Sequence, residues 1–119
     1  MLIEDLNLSK NKVMEINELM IGNWVIGCSG EPFKIGIIDP DFLYWDEIKP
    51  IPLTTEILEK NGFIKESRDC FDNPLQYCVL VDGLWIDISG ENYFEGKLEY
   101  VHQLQNALRI CGIKKEIEL

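Results

Sequence analysis

The chain is 119 residues long, 46% hydrophobic and 27% charged, with 21 acidic and 11 basic residues and a net charge of −10. This length suggests one domain with one modest core, and the composition excludes a disordered chain. The charge opposes direct binding to a phosphate backbone or an anionic membrane, and the longest apolar runs fall far short of the roughly 20 residues a membrane helix needs.

Met1 to Lys10 carries Glu4 and Asp5 and lacks a basic stretch followed by an apolar one, so it does not read as a secretory signal. A cytoplasmic location is expected. Cys28, Cys70, Cys78 and Cys111 are scattered, with no CxxC pair, and are read as reduced structural thiols rather than disulfides or a zinc site. Residues 1–17 are the least readable segment. Ser9 could cap a short helix over 10–18, with Val13, Ile16 and Met20 at helical spacing.

Two strands are expected next, over 23–28 and 33–39. In the second, Phe33, Ile35 and Ile37 alternate with Lys34, Gly36 and Ile38, and the Ser-Gly-Glu-Pro linker has the residues of a turn. The pair reads as an antiparallel hairpin. Phe42 to Trp45 reads as a short edge strand, and Pro50 and Pro52 favour extended chain at a sheet edge. The acidic group Asp39, Asp41, Asp46 and Glu47 lacks the glycine and ligand spacing of a calcium loop, so it reads as a solvated turn.

Leu53 to Phe63 carries the signs of a short helix. Thr54 fits the N-cap, Leu53 and Leu58 fit a hydrophobic staple, and Asn61-Gly62-Phe63 fits a Schellman ending. Asp82-Gly83 then predicts a two-residue type I′ hairpin. That turn sets a register with Val81 facing Leu84, Val79 facing Ile86 and Tyr77 facing Ile88, all on the core side. The other face carries Gln76, Cys78, Leu80, Trp85 and Asp87. Leu80 and Trp85 form an apolar spot there, to be covered by a second layer or left as a contact patch. Residues 89–96 read as a loop.

A helix is expected over 98–111, ended by Gly112. Val101, Leu104, Leu108 and Cys111 form its apolar stripe, widened by Tyr100, Ala107 and Ile110. His102, Gln105, Asn106 and Arg109 recur on the opposite side. The plain reading is a solvated face. The functional reading is a binding face, since these groups could grip a peptide or a carboxylate. Residues 114–119 alternate and suggest a last strand. Catalysis finds little support: there is one histidine, no nucleophile elbow and no glycine-rich phosphate loop, and no cofactor or metal site is expected. Trp24, Trp45 and Trp85 are read as core, with a peptide groove as the other reading of such aromatics.

Three blocks, Glu18–Val25, Lys49–Phe63 and Tyr100–Gly112, resemble in order a family of small proteins without assigned activity, common in Bacteroidetes genomes and their prophages and mobile elements. Its pattern is a Leu-x-x-Gly-Asn-x-Val opening, a Pro-Ile-Pro-Leu-Thr helix start and a Tyr-Val-His-Gln-Leu-Gln-Asn helix. The resemblance implies a small α+β domain and a phage-like origin, and brings no catalytic residue. The first strand is also similar to that of SH3-like barrels, a likeness of fold only.

The expectation is therefore one α+β domain of a bent antiparallel sheet, SH3-like in its N-terminal part, with two helices. Three functional classes follow. The first is a non-enzymatic interaction or accessory protein, contacting a protein partner or a second copy through His102, Gln105, Asn106, Arg109, Trp85 and Leu80. The second is an acidic inhibitor or DNA mimic. The third is an enzyme of unfamiliar type in which His102 meets Cys28, Cys70 or a carboxylate.

Overall fold

A computed structural model describes residues 19–27, 29–36, 48–66 and 73–119. Among these residues are two helices and two sheets, an α+β structure, and the chain divides into two compact units, Met1–Ile51 and Pro52–Leu119. The expected helix over 10–18 and edge strand over 42–45 lie outside the described residues, as do Cys28, Cys70 and Trp45.

In the first unit, β1 (Trp24–Ile26) pairs antiparallel with β2 (Pro32–Lys34), Val25 opposite Phe33. The hairpin is as expected, but β2 is shorter and earlier. Ile35 is buried, whereas Phe33 is exposed, so the two do not share a core face. A turn precedes β1. Gly22 has φ +93 and supplies the left-handed residue. The buried Asn23 accepts from the Met20 N–H through Oδ1 (2.7 Å), while its own N–H reaches the Met20 carbonyl (3.1 Å). The Gly-Asn pair is thus a chain reversal locked by one side chain. Leu19, Val25, Ile35 and Ile48 form the buried cluster of this unit, and an isolated bridge joins Ile26 to Lys49.

The second unit opens with extended chain: Pro52 bridges Tyr100, and the Leu53 N–H donates to the Glu99 carbonyl (2.9 Å). Helix α1 (Thr55–Lys60) follows. Thr54 Oγ1 accepts from the Ile57 N–H, and the Phe63 and Gly62 N–H groups reach back to the Leu58 and Glu59 carbonyls, the two bonds of a Schellman ending. Gly62 takes φ +87 as required. Leu53, Leu58 and Phe63 are all buried.

Four strands form the larger sheet, in the order β3 (Ile64–Lys65), β4 (Leu75–Leu80), β5 (Gly83–Ile88), β6 (Phe94–Leu98). The β3–β4 pair is parallel and the others antiparallel. The β4–β5 hairpin differs from expectation by two residues. Tyr77 faces Ile86 and Leu75 faces Ile88, and the turn is Val81-Asp82. The displacement is even, so every side chain keeps its expected face. It seats Leu75 opposite Ile88, where the expected register would have set Leu75 against Gly90. It also avoids a left-handed Asp82: among the described residues only glycines have positive φ. The cost is that Val81 and Val79, expected in the core, are exposed.

Strand β6 lies where the sequence reads as loop. Its alternation of Phe94, Gly96 and Leu98 with Glu95 and Lys97 is a period of two, weakened by the glycine. Because β6 takes Leu98 and Tyr100 bridges Pro52, helix α2 begins only at Val101 and runs to Ile110. Gln103 Oε1 accepts from the Glu99 and Tyr100 N–H groups at its start. The Gly112 and Ile113 N–H groups close its end on Arg109 and Leu108. The loop before β6 serves that end too. Glu91 N–H donates to the Cys111 carbonyl (2.8 Å) and Asn92 Nδ2 to the Ile110 carbonyl (2.8 Å), pairing carbonyls that a helix terminus leaves open.

The stripe Val101, Leu104, Ala107, Leu108 and Cys111 is buried as expected, whereas Ile110 is exposed and does not widen it. Residues 114–119 form no strand. They are held instead by Asn61, the C-cap of α1. Its amide donates to the Glu118 carbonyl and accepts from the Glu118 N–H, both at 2.8 Å, while Lys60 Nζ reaches the Leu119 carbonyl. A side chain thus stands in for a strand neighbour, and Ile117 is buried beside this clamp.

Candidate functional site

The larger sheet is one-sided. On its inner face Leu75, Tyr77, Ile86 and Ile88 are buried. On its outer face Gln76, Cys78, Leu80, Trp85 and Asp87 are each half-buried, the pattern of a solvated sheet face rather than one sealed under a second layer. Register defines the neighbours on this face. Cys78 and Lys97 flank Trp85 on either side, and Asp87 lies between Gln76 and Glu95. Leu80 follows Cys78 at a spacing of two. The apolar spot expected of Leu80 and Trp85 therefore exists; at the hairpin end Val81 is fully exposed, and Val79, on the opposite face, is 52% exposed. Trp24 and Trp85, both expected in the core, are half-buried. Trp24 carries the Lys34 ammonium 5.2 Å from its ring centre, a cation–π contact across the β1–β2 pair.

His102 requires a correction. Expected on a solvated face, it is 1% exposed, and its ring stacks on Tyr100 at 5.8 Å between centroids and 16° between planes. The position adjoins Val101 and precedes Leu104, so the buried arc of α2 extends to include it. An imidazole stacked on a phenol ring can sit there while the same side of the next turn stays polar. Gln105 and Asn106 are half-buried and Arg109 is exposed, so the accessible part of the expected helical face shrinks to these three. Burial removes His102 from direct contact with a partner and makes it a structural residue of α2.

The acidic groups of the sheet face fall into two arrangements. At the hairpin turn, Lys97 pairs with Asp82, and this hydrogen bond, helped by the ammonium charge, holds the Asp82 carboxyl below its ordinary range. Further along, Asp87 and Glu95 stand directly opposite each other on neighbouring strands, with the Tyr93 hydroxyl donating to Glu95 Oε2 (2.5 Å). The Glu95 hydrogen bond first, then burial and the nearby Asp87 and Glu95 charges, push the Tyr93 phenol up to about 12. On the inner face the Tyr77 hydroxyl donates to Glu59 Oε1 (2.5 Å), joining β4 to α1; this bond, burial and the Glu59 charge raise the Tyr77 phenol as well. Tyr93, Glu95 and Lys97 were not found as site residues from the sequence, because 89–96 reads as a loop. The alternation around Gly96 was the signal that could have placed them.

A pH dependence follows. Both phenols titrate higher in the folded chain than the roughly 10 of an unfolded tyrosine. Their contribution to stability is complete below about pH 10 and is lost as pH rises through the folded values. Urea midpoints from about pH 9 to about pH 11.5 are expected to fall for the wild type and to fall less steeply for Tyr77→Phe/Tyr93→Phe. Equal slopes would show that the phenol–carboxylate bonds do not form.

Cys78 and Cys111 are free thiols, and burial pushes the Cys111 thiol up, which makes it unreactive. Among the described residues no group of three His, Cys, Asp or Glu side chains is placed to hold a metal ion, and no helix is long and apolar enough to cross a membrane. In comparisons with known proteins, no family model, no curated protein and no solved structure matches this chain.

Proposed function

We propose that this chain is a non-enzymatic interaction protein, acting in the cytoplasm as an accessory factor of a phage-like or mobile element. The observation that carries the reading is the apolar end of the β4–β5 hairpin: Val79 and Val81 are exposed, and Leu80 and Trp85 are half-buried on the outer sheet face. Exposed apolar side chains grouped at one hairpin end are a candidate contact surface. The resemblance of the three sequence blocks to a Bacteroidetes and prophage family is the ground for the phage-like origin and supplies no activity. The net charge of −10 argues that the contact is with protein, not with nucleic acid.

The test is affinity capture from a native-type host with wild type and Val79→Ser/Val81→Ser, paired with sedimentation of each at several concentrations. Both substitutions are at exposed positions, where a change of side chain usually alters stability little. The reading expects a partner, or self-association, present with wild type and lost with the variant. An identical set of captured proteins and identical sedimentation for the two chains would refute it.

A further inference from the structure

The outer face of the larger sheet has more character than an apolar patch. Trp85 stands half-exposed at its centre, Tyr93 is 60% exposed, and Asp87 and Glu95 lie side by side between them on β5 and β6. Lys97 is next to Trp85 and is paired with Asp82 in the turn. Like charges directly opposite on neighbouring strands destabilise a sheet. The Tyr93 hydroxyl lies against both carboxylates, donating to Glu95 Oε2 and within hydrogen-bonding reach of Asp87. Two neighbouring carboxylates beside two partly exposed aromatic rings make this surface both anionic and aromatic.

We propose that this face docks a basic segment of a protein partner, with Lys or Arg side chains seated over Trp85 and against Asp87 and Glu95, and apolar side chains on Leu80 and the hairpin tip. Charge complementarity selects the occupant. Carboxylates beside an aromatic face attract an ammonium or guanidinium by both ion pairing and cation–π contact. A second copy is the poorer occupant: a two-fold contact through this face would set the acidic pair against itself, in a chain already carrying −10. This inference rests on the interaction reading above and adds the chemistry of the partner.

The test uses the full chain and a labelled synthetic peptide of alternating Arg and Val, with an alternating Glu and Val peptide as control. Fluorescence anisotropy is read at physiological ionic strength. The basic peptide is expected to bind and the acidic one not. Asp87→Asn/Glu95→Gln is expected to weaken binding by about tenfold or more, as for close charge pairs at interfaces, while its circular dichroism spectrum stays that of the folded wild type. Glu31→Gln/Glu118→Gln removes the same charge elsewhere and is expected to change binding by less than about twofold, the share of general attraction. Trp85→Leu is expected to weaken binding too. Equal losses for the two double variants would reduce the effect to net charge and overturn the proposal, as would absence of binding. A host partner lost with Val79→Ser/Val81→Ser but held unchanged by Asp87→Asn/Glu95→Gln would also overturn it, while leaving the interaction reading in place.

Discussion

Leu58→Ala is expected to lower the unfolding free energy by about 2–5 kcal/mol, the range for deleting a fully buried leucine side chain. Leu58 is 0% exposed and occupies two roles in a six-residue helix. It lies at the fourth helical position, the staple partner of Leu53. Near the other end of the same helix, it also offers the carbonyl that closes the Schellman ending with Phe63. A helix this short is not stable through backbone bonds alone, since nucleation costs more than a turn and a half returns. Its persistence depends on Leu53, Leu58 and Phe63 remaining buried together. Urea unfolding followed by circular dichroism measures the loss. A change below about 1 kcal/mol would mean that the site collapses around the smaller side chain or that α1 does not stabilise the unit.

Asn61→Ala is expected to cost about 1–3 kcal/mol, because the substitution removes the partner of the part-buried Glu118 N–H and carbonyl. Asn61 is 4% exposed, and its amide makes three bonds at 2.8 Å: to the Ile57 carbonyl inside α1, and to the carbonyl and N–H of Glu118. The substitution frees the C-terminal segment and uncovers Ile117. Hydrogen exchange separates the two consequences. The Glu118 amide should exchange far faster in the variant, while amides of β4 and β5 follow the global loss. An unchanged Glu118 rate would show that the tail is held by Ile117 and not by the clamp.

What the sequence made legible, and what it hid, divides along physical lines. Local rules with fixed offsets were readable: Thr54 as cap, Leu53, Leu58 and Phe63 as staple and ending, Gly112 as terminator, and the α2 stripe at Val101, Leu104 and Leu108. The face of each β4 and β5 side chain was also readable, because parity survives a shift of two. The register itself was not, since it depends on Leu75 finding Ile88 and on the unfavourable left-handed state of Asp82. Strand β6 was hidden by Gly96, which breaks the apolar alternation, and by turn-forming residues just before it. His102 was misplaced because a helical wheel assigns faces from one element alone, whereas burial is set by everything packed around it.

The candidate site was half legible. Leu80 and Trp85 were found because they share a face in any even register. Tyr93, Glu95 and Lys97 came into view only with β6. The three sequence blocks quoted above point elsewhere. Gly22 and Asn23 build a turn, Pro52 and Tyr100 bridge each other, and Thr54 caps α1. These blocks specify the scaffold, while the surface proposed for binding lies between them in sequence, in the hairpin and β6.

The central claim, that the outer face of the four-stranded sheet is a surface for a basic protein segment, is tested most directly by mapping amide and indole NMR shifts during titration with the Arg–Val peptide. The account predicts shifts concentrated at Cys78, Leu80, the Trp85 indole, Asp87, Tyr93 and Glu95. Shifts distributed over acidic residues throughout the chain, or centred on Arg109 and its neighbours on α2, would contradict it.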